Sequence, residues 1–379
     1  MNNSLSSLSP TLAKILASVR WIPNYAWQRM VRRQRPPKPF HIVLAVADHF
    51  EPYIYPPNPR LFLSRSQQLM RVRDWCRKYP VVFRSFRDSC GIPFRHTYFY
   101  PAEHCDAEII GILAEHCNRG WGEIEIHLHH GIDAPDTPEN TREALVHFRD
   151  FLAANGCLSR LEGSGIPRYA FVHGNWALAN SDNGRYCGVD SEMQILAETG
   201  CYADFTLPSA PARAQVGKIN CLYECKDPLE NRSPHRRGRD LHTSSNPSVL
   251  PIIIQGPLMI DFSRRKQRVL PTLENSALTA VNPPTIDRLH LWTRAGITVQ
   301  GRPEWLFVKL HCHGMDPRDT QALLGNPIVA FLRDVAEAEK EGGFITHFVT
   351  AREMTNIVLA ACDGKDGNPS LYRNWPFAR

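Results

Sequence analysis

Apolar residues in this chain form short runs separated by longer stretches with helical spacing. Residues 41–47, His-Ile-Val-Leu-Ala-Val-Ala, are a nearly unbroken apolar run of the kind found in strands buried on both faces. Residues 95–100 predict a second strand. From Asp106 onward, Ile109, Ile110, Leu113, Ala114 and Cys117 share one helical face. Gly122 leads into Glu-Ile-Glu-Ile-His-Leu-His over 123–129, which alternates with period two. Thr137 and Pro138 supply a cap and a first-turn residue for a helix facing inward through Ala144, Leu145, Phe148 and Leu152. Residues 169–173 predict a strand, and Ser191 with Gln194 predicts a capping box on a helix ended by Gly200. Further strands are expected at 202–207, 252–254, 306–310 and 344–349. Helices are expected over 283–295, over 327–340, and from Thr350 with Glu353.

Strands and helices alternating on this scale imply βαβ units and a parallel sheet. Seven or eight strands in one domain predict an α/β fold: a (β/α) barrel, seven-stranded and distorted, with surrounding helices. The organisation expected is an arm and Pro-rich linker over 1–39, a single catalytic barrel over 40–362 and a tail over 363–379. Residues 213–268 break the rhythm. They are rich in Pro, Asn, Ser and Arg, include Pro-His-Arg-Arg-Gly-Arg at 234–239, and read as a loop-rich insertion over the active face.

Charge changes this picture at one end only. Residues 1–40 hold seven Lys and Arg and no acid, so the arm's +7 against the chain's +6 leaves the body at −1. A near-neutral body gives no footprint for nucleic acid. Within the arm, Leu12, Ile15, Leu16 and Val19 share a helical face, and Trp21, Ile22, Tyr25 and Trp27 precede the basic cluster. No apolar run reaches the ~20 residues of a spanning helix, and charges following the apolar region are in the wrong order for a signal peptide. Two readings stay open: a helix packed on the barrel's outside, or a peripheral membrane contact through residues 11–35. Eleven cysteines without paired spacing argue for free thiols in a reducing, cytoplasmic setting, with membrane association at its inner face as the arm's second reading.

Metal-capable residues gather where the predicted strands end. The first strand ends in Asp48-His49 and the third in His127-Leu-His129-His130, with Asp133 just beyond. The fourth ends in His173, and a late one in His311-Cys-His313. Strand C-termini of parallel barrels converge on one face, where active sites lie, so four such endings predict a shared site.

In the order of these motifs the chain resembles the NodB-like polysaccharide deacetylases, the relatives of carbohydrate esterase family four. That resemblance implies a hydrolase that uses a divalent metal to remove acyl groups from sugars. Asp48 takes the place of the family's catalytic base, and His49 stands where the family has a ligand carboxylate. The family's His-(Ser/Thr)-x-x-His motif follows a Glu-Ile pair, which occurs here at 123–124 and at 125–126. The first register pairs His127 with Gly131, which cannot bind; the second pairs His129 with Asp133. The implied ligand set is therefore His49, His129 and Asp133, with His127 and His130 as further candidates and zinc as the metal suited to imidazole-rich ligation. Residues 308–311, Val-Lys-Leu-His, match the family's final motif and make His311 the acid, oriented by His313 or Asp204. Residues 171–176, Phe-Val-His-Gly-Asn-Trp, replace its Arg-containing segment, leaving His173 and Trp176 as substrate-binding candidates beside Asp204 and Arg236. The implied partner is a carbohydrate or a lipid-linked glycan. Two rivals remain: a glycoside hydrolase or lyase using Glu51, Asp106 and Asp204, and a non-catalytic glycan-binding or assembly protein.

Overall fold

The computed structural model describes residues 20–32, 36–54, 61–161, 165–225, 228–262 and 271–378. A large, mostly parallel sheet organises them. Its principal strands are β1 (Phe40–His49), β2 (His96–Pro101), β3 (Gly122–Leu128), β4 (Pro167–His173), β5 (Cys201–Asp204), β6 (Ile252–Ile254), β7 (Trp305–Cys312) and β8 (Phe344–Val349). The order β7-β1-β2-β3-β4-β5-β6 is parallel throughout. β8 shares one edge of β1 with β2: it pairs with residues 40–45, whereas β2 pairs only with 47–49.

Both faces of the sheet are covered, which is why β1 reads as an unbroken apolar run. Alternate residues enter two different cores. Ile42, Leu44 and Val46 pack with the helices α2 (Arg65–Phe83), α3 (Ala107–His116), α4 (Pro138–Ala154), α5 (Glu192–Thr199), α6 (Ile286–Thr293) and α7 (Asn326–Lys340). Val43, Ala45 and Ala47 pack on the other side, around α8 (Ala351–Cys362), all twelve residues of which are buried. The helix-facing side is called outer below, and the side holding α8 inner.

Among the described residues, no ladder joins β6 to β7, so the expected closed seven-stranded ring is not shown. The free edge of β7 is occupied by other chain: His311 pairs with residues 276–278, and Phe307 N–H donates to the Ile297 carbonyl. The predicted caps at Asp106, Thr137 and Thr350–Glu353 form, the last as a full capping box. Ser191 does not cap with its side chain, although α5 does end at a left-handed Gly200. Helix α2 was not expected from the apolar pattern; a Ser64–Gln67 capping box starts it.

The first apolar face of the arm lies outside the described residues. Its second part forms α1 (Ile22–Val31), which packs on the body through buried Trp21 and Tyr25. Asn24 and Gln28 donate to the carbonyls of Gly217 and Ile219, and Arg32 to those of Asn220 and Ala295. The 213–268 region also has structure: it supplies β6, and short antiparallel strands at Leu222–Glu224 and Arg239–Asp240 extend the sheet beyond it. The C-terminal segment is tied in as well, with Phe377–Ala378 paired to Ser159–Leu161.

Candidate metal centre and pocket

The alternation that divides the two cores also divides the polar strand ends. On β1 the outer residues lead to Asp48 and the inner ones to His49. On β3, Ile124, Ile126 and Leu128 are outer, so His127 and His129 face inward while His130 turns out. On β4, Tyr169 and Phe171 are outer, and His173 follows them. On β7, Val308, Leu310 and Cys312 are outer, leaving Lys309, His311 and His313 inside. One predicted site therefore becomes an inner group and two outer ones, Asp48 with His96 and Cys312, and His130 with His173, Cys187 and Glu192.

The inner group centres on Glu51, just beyond β1. Its Oε1 is 3.3 Å from His127 Nε2 and 3.0 Å from His129 Nε2. Each ring's other nitrogen is bound to an oxygen: His127 Nδ1–H donates to the Val172 carbonyl at 2.7 Å, and His129 Nδ1–H to Glu103 Oε1 at 2.7 Å. Such outer hydrogen bonds fix the tautomer and turn Nε2 toward a shared cation, as they do for metal-bound histidines. The donor set fits a metal: Glu51, His127 and His129 offer atoms within 4.8 Å of one another. Gly174 allows His129 to sit there, since a Cβ at 174 would lie 2.3 Å from its ring.

Burial alone would raise the Glu51 carboxyl, but hydrogen bonds with His127 and His129 outweigh it and hold Glu51 well below its usual value. Burial alone would lower His129, but Glu103 and Glu51 carry it up to about 10. Without a metal, then, His129 is an imidazolium held between two carboxylates. His49 differs: burial, with His313 and His127 close by, holds it well below its ordinary value, so it is neutral. Its ring centroid lies 4.9 Å from that of His127 and 4.8 Å from that of His313. His311 is kept neutral by burial and by Lys309, and its Nδ1 is buried with no hydrogen-bond partner.

Above these residues opens a pocket of about 380 Å³, floored by His49, Glu51, His129 and His313. Asn175 and Trp176 form part of its wall, both in left-handed backbone conformation, with φ of 54° and 59°. Asp316, Arg318 and Asp319 stand at its rim.

The structure thus brings His49, His127, His129, His311, His313 and Trp176 together and places the other candidates elsewhere. Asp48 is fully buried on the outer side. It accepts from the Gly314 amide at 2.6 Å and from His96 Nδ1 at 3.0 Å, with Cys312 nearby, so it does not face the pocket where a base must act. Asp133 is exposed and belongs to none of the clusters that could hold a metal. Asp204 is buried away from the pocket lining; burial pushes it up to about 7, and Thr206 donates to it. Arg236 is exposed and donates to the Ser181 carbonyl, outside the pocket lining. Asp106 caps α3 and pairs with Arg65. His130 and His173 meet each other in the second outer group, with Cys187 and Glu192.

Sequence reasoning missed Glu103, Cys187 and Glu192, and weighed Glu51 only as a glycosidase carboxylate. Glu103 sits two residues past β2, one more strand end in the same layer, and that signal was available in the sequence. Cys187 and Glu192 lie on a loop and at the start of a short helix, where no period marks them. No protein-family model matches this chain, and no curated protein does either.

Proposed function

We propose that this chain is a metal-dependent hydrolase that removes an acyl group, acetyl foremost, from an amino sugar in a polysaccharide or glycolipid intermediate. The observation that carries this reading is the convergence of Glu51, His127 and His129 on one point at the floor of an open pocket, each imidazole oriented by an oxygen behind it. Two imidazoles and a carboxylate suit zinc and leave a coordination position free. A bound zinc would polarise the acyl carbonyl and bring the pKa of a water toward ~7.

Glu51, His127 and His129 would hold the ion, and Glu103 orients His129. The base role passes from Asp48 to His49, whose neutral ring at the pocket floor can accept a water proton as the oxygen attacks the carbonyl carbon. His313, half-buried beside it, is placed to deliver a proton to the amine nitrogen as the C–N bond breaks. His311 lies nearby, its ring centroid 6.2 Å from that of His49. Trp176 offers a face for a sugar ring at the pocket wall. Asp48, by holding the Gly314 amide, positions the His313 turn from beneath.

The test is metal analysis with acetate release from N-acetylglucosamine oligomers. About one zinc should be lost from the chain on His127→Ala with Glu51→Gln, together with chelator-sensitive acetate release. Undiminished release by that double variant would refute the assignment. A lipid-linked substrate is supported by α1, which leaves Ile22, Trp27, Met30 and Val31 exposed beside Arg29, the arrangement of a peripheral membrane contact. Among the described residues no helix is long and apolar enough to cross a membrane. Unchanged vesicle partition after deletion of residues 1–38 would rule that contact out.

A further inference from the structure

The outer group around His130 has the makings of a second metal site. His130 Nε2 lies 3.0 Å from His173 Nε2 and 3.0 Å from Glu192 Oε1. His173 Nε2 is 3.4 Å from that same Oε1, and Cys187 Sγ is 3.6 Å from Glu192 Oε2. All four donors fall within 4.8 Å of one another, and all four residues are buried. Both rings are held from behind: His130 Nδ1–H donates to Asp136 Oδ2 at 2.8 Å, and His173 Nδ1–H donates to the Gly174 carbonyl. Each Nε2 is therefore presented to the same point, where a thiol and a carboxylate also converge.

We propose that His130, His173, Cys187 and Glu192 form a closed structural zinc site, separate from the pocket and on the opposite face of the sheet. A thiolate, two imidazoles and a carboxylate are four protein ligands, the number of a structural zinc site, and thiolate favours zinc over magnesium or calcium. Zinc with Cys and Glu both ionised is a neutral unit, which suits a place without access to water.

One further observation points the same way, the backbone strain beside the cluster. Between 175 and 186, six non-glycine residues (Asn175, Trp176, Ala179, Asn180, Asn183 and Tyr186) hold φ between 44° and 61°. Such conformations persist only where the surroundings over-determine them. The proposed ligands bracket this segment, His173 before it and Cys187 and Glu192 after it, and His130 ties both ends to β3. Since the segment carries Asn175 and Trp176, an ion here fixes the pocket wall without touching substrate.

The inference does not depend on the proposed function. X-ray absorption on the full-length, zinc-replete protein should show a zinc–sulfur shell at about 2.3 Å, which the inner site, lacking cysteine, cannot supply. A purely nitrogen and oxygen shell overturns the proposal without need of any variant. In the cobalt-substituted protein, Cys187→Ser should abolish the thiolate-to-cobalt charge-transfer band and lower metal content by one equivalent, while Cys312→Ser keeps both. The Glu51→Gln, His127→Ala protein should keep the band; its loss of metal bears only on the pocket. A band that survives Cys187→Ser would also defeat the assignment.

Discussion

Glu103 is the residue whose role is easiest to isolate, because it touches the proposed metal centre only through His129. Its carboxylate takes both the Nδ1–H and the backbone N–H of His129. Removing such an outer partner usually costs ~10–100-fold in metal affinity, so Glu103→Gln should weaken zinc binding by about that factor in calorimetric titration while the fold is kept. Glu125, two residues before His127 on the inner face, answers to pH. Burial pushes its carboxyl up to about 8 from an ordinary 4.5, despite hydrogen bonds from Tyr202 and the Ala170 amide. A folded value above the unfolded one means that its contribution to stability is fully present below about 4.5 and is lost as pH rises through about 8. Urea unfolding between pH 5 and 9 should therefore show a wild-type decline that is shallower in Glu125→Gln. Parallel curves for the two proteins would show that Glu125 does not titrate across this window.

At the scale of the strand, period two decides what each histidine does. Asp48 and His49 are neighbours in sequence but face opposite sides of β1, just as His129 and His130 part at the end of β3. Asp48→Asn is accordingly expected to disturb a brace, not to remove a base. Its buried oxygens accept from Gly314 and His96, and an amide placed there loses one acceptor. Stability should fall by roughly 1–3 kcal/mol and turnover should drop, while the shape of the pH–rate profile stays as in wild type; loss of the acidic limb of that profile would restore Asp48 to the role of base. The eight principal strands were legible in the sequence to within a few residues, because each is an apolar or alternating run, whereas short strands such as Leu222–Glu224 and Arg239–Asp240 carry too little pattern to be read. So were helices whose caps lie in sequence, such as those starting at Asp106, Thr137 and Thr350. Helix α2 was equally legible and was missed: Leu69, Val72, Trp75, Tyr79 and Phe83 recur at helical spacing behind the Ser64–Gln67 capping box.

For the molecule as a whole, the inner side of the sheet is closed from below by α8 and the segment after it. Arg352 links them: it pairs with Glu123 on β3 at 2.8 Å and donates to the Phe377 carbonyl, with both ionic side chains almost fully buried. Arg352→Ala leaves the buried Glu123 carboxylate without its guanidinium, the Thr350 hydroxyl still donating to it, and should cost about 3–5 kcal/mol in chemical denaturation, partly recovered when Glu123→Leu is added to Arg352→Met. By itself the sequence determined the alternation of strand and helix, the parallel sheet and the gathering of imidazoles at the strand ends, because periodicity and capping are local properties. It also held the rule that separates Asp48 from His49. Only the tertiary structure decided which carboxylates meet which imidazoles. Glu51, Glu103 and Glu192 reach their partners across 76, 26 and 62 residues of chain, and local pattern carries no information about pairings at such separations. It likewise decided that the strand-end residues divide among three groups where one was expected, Glu51 with His127 and His129 inside, and Asp48 with His96 and Cys312 and His130 with His173, Cys187 and Glu192 outside, since the sheet puts its own thickness between residues adjacent in sequence.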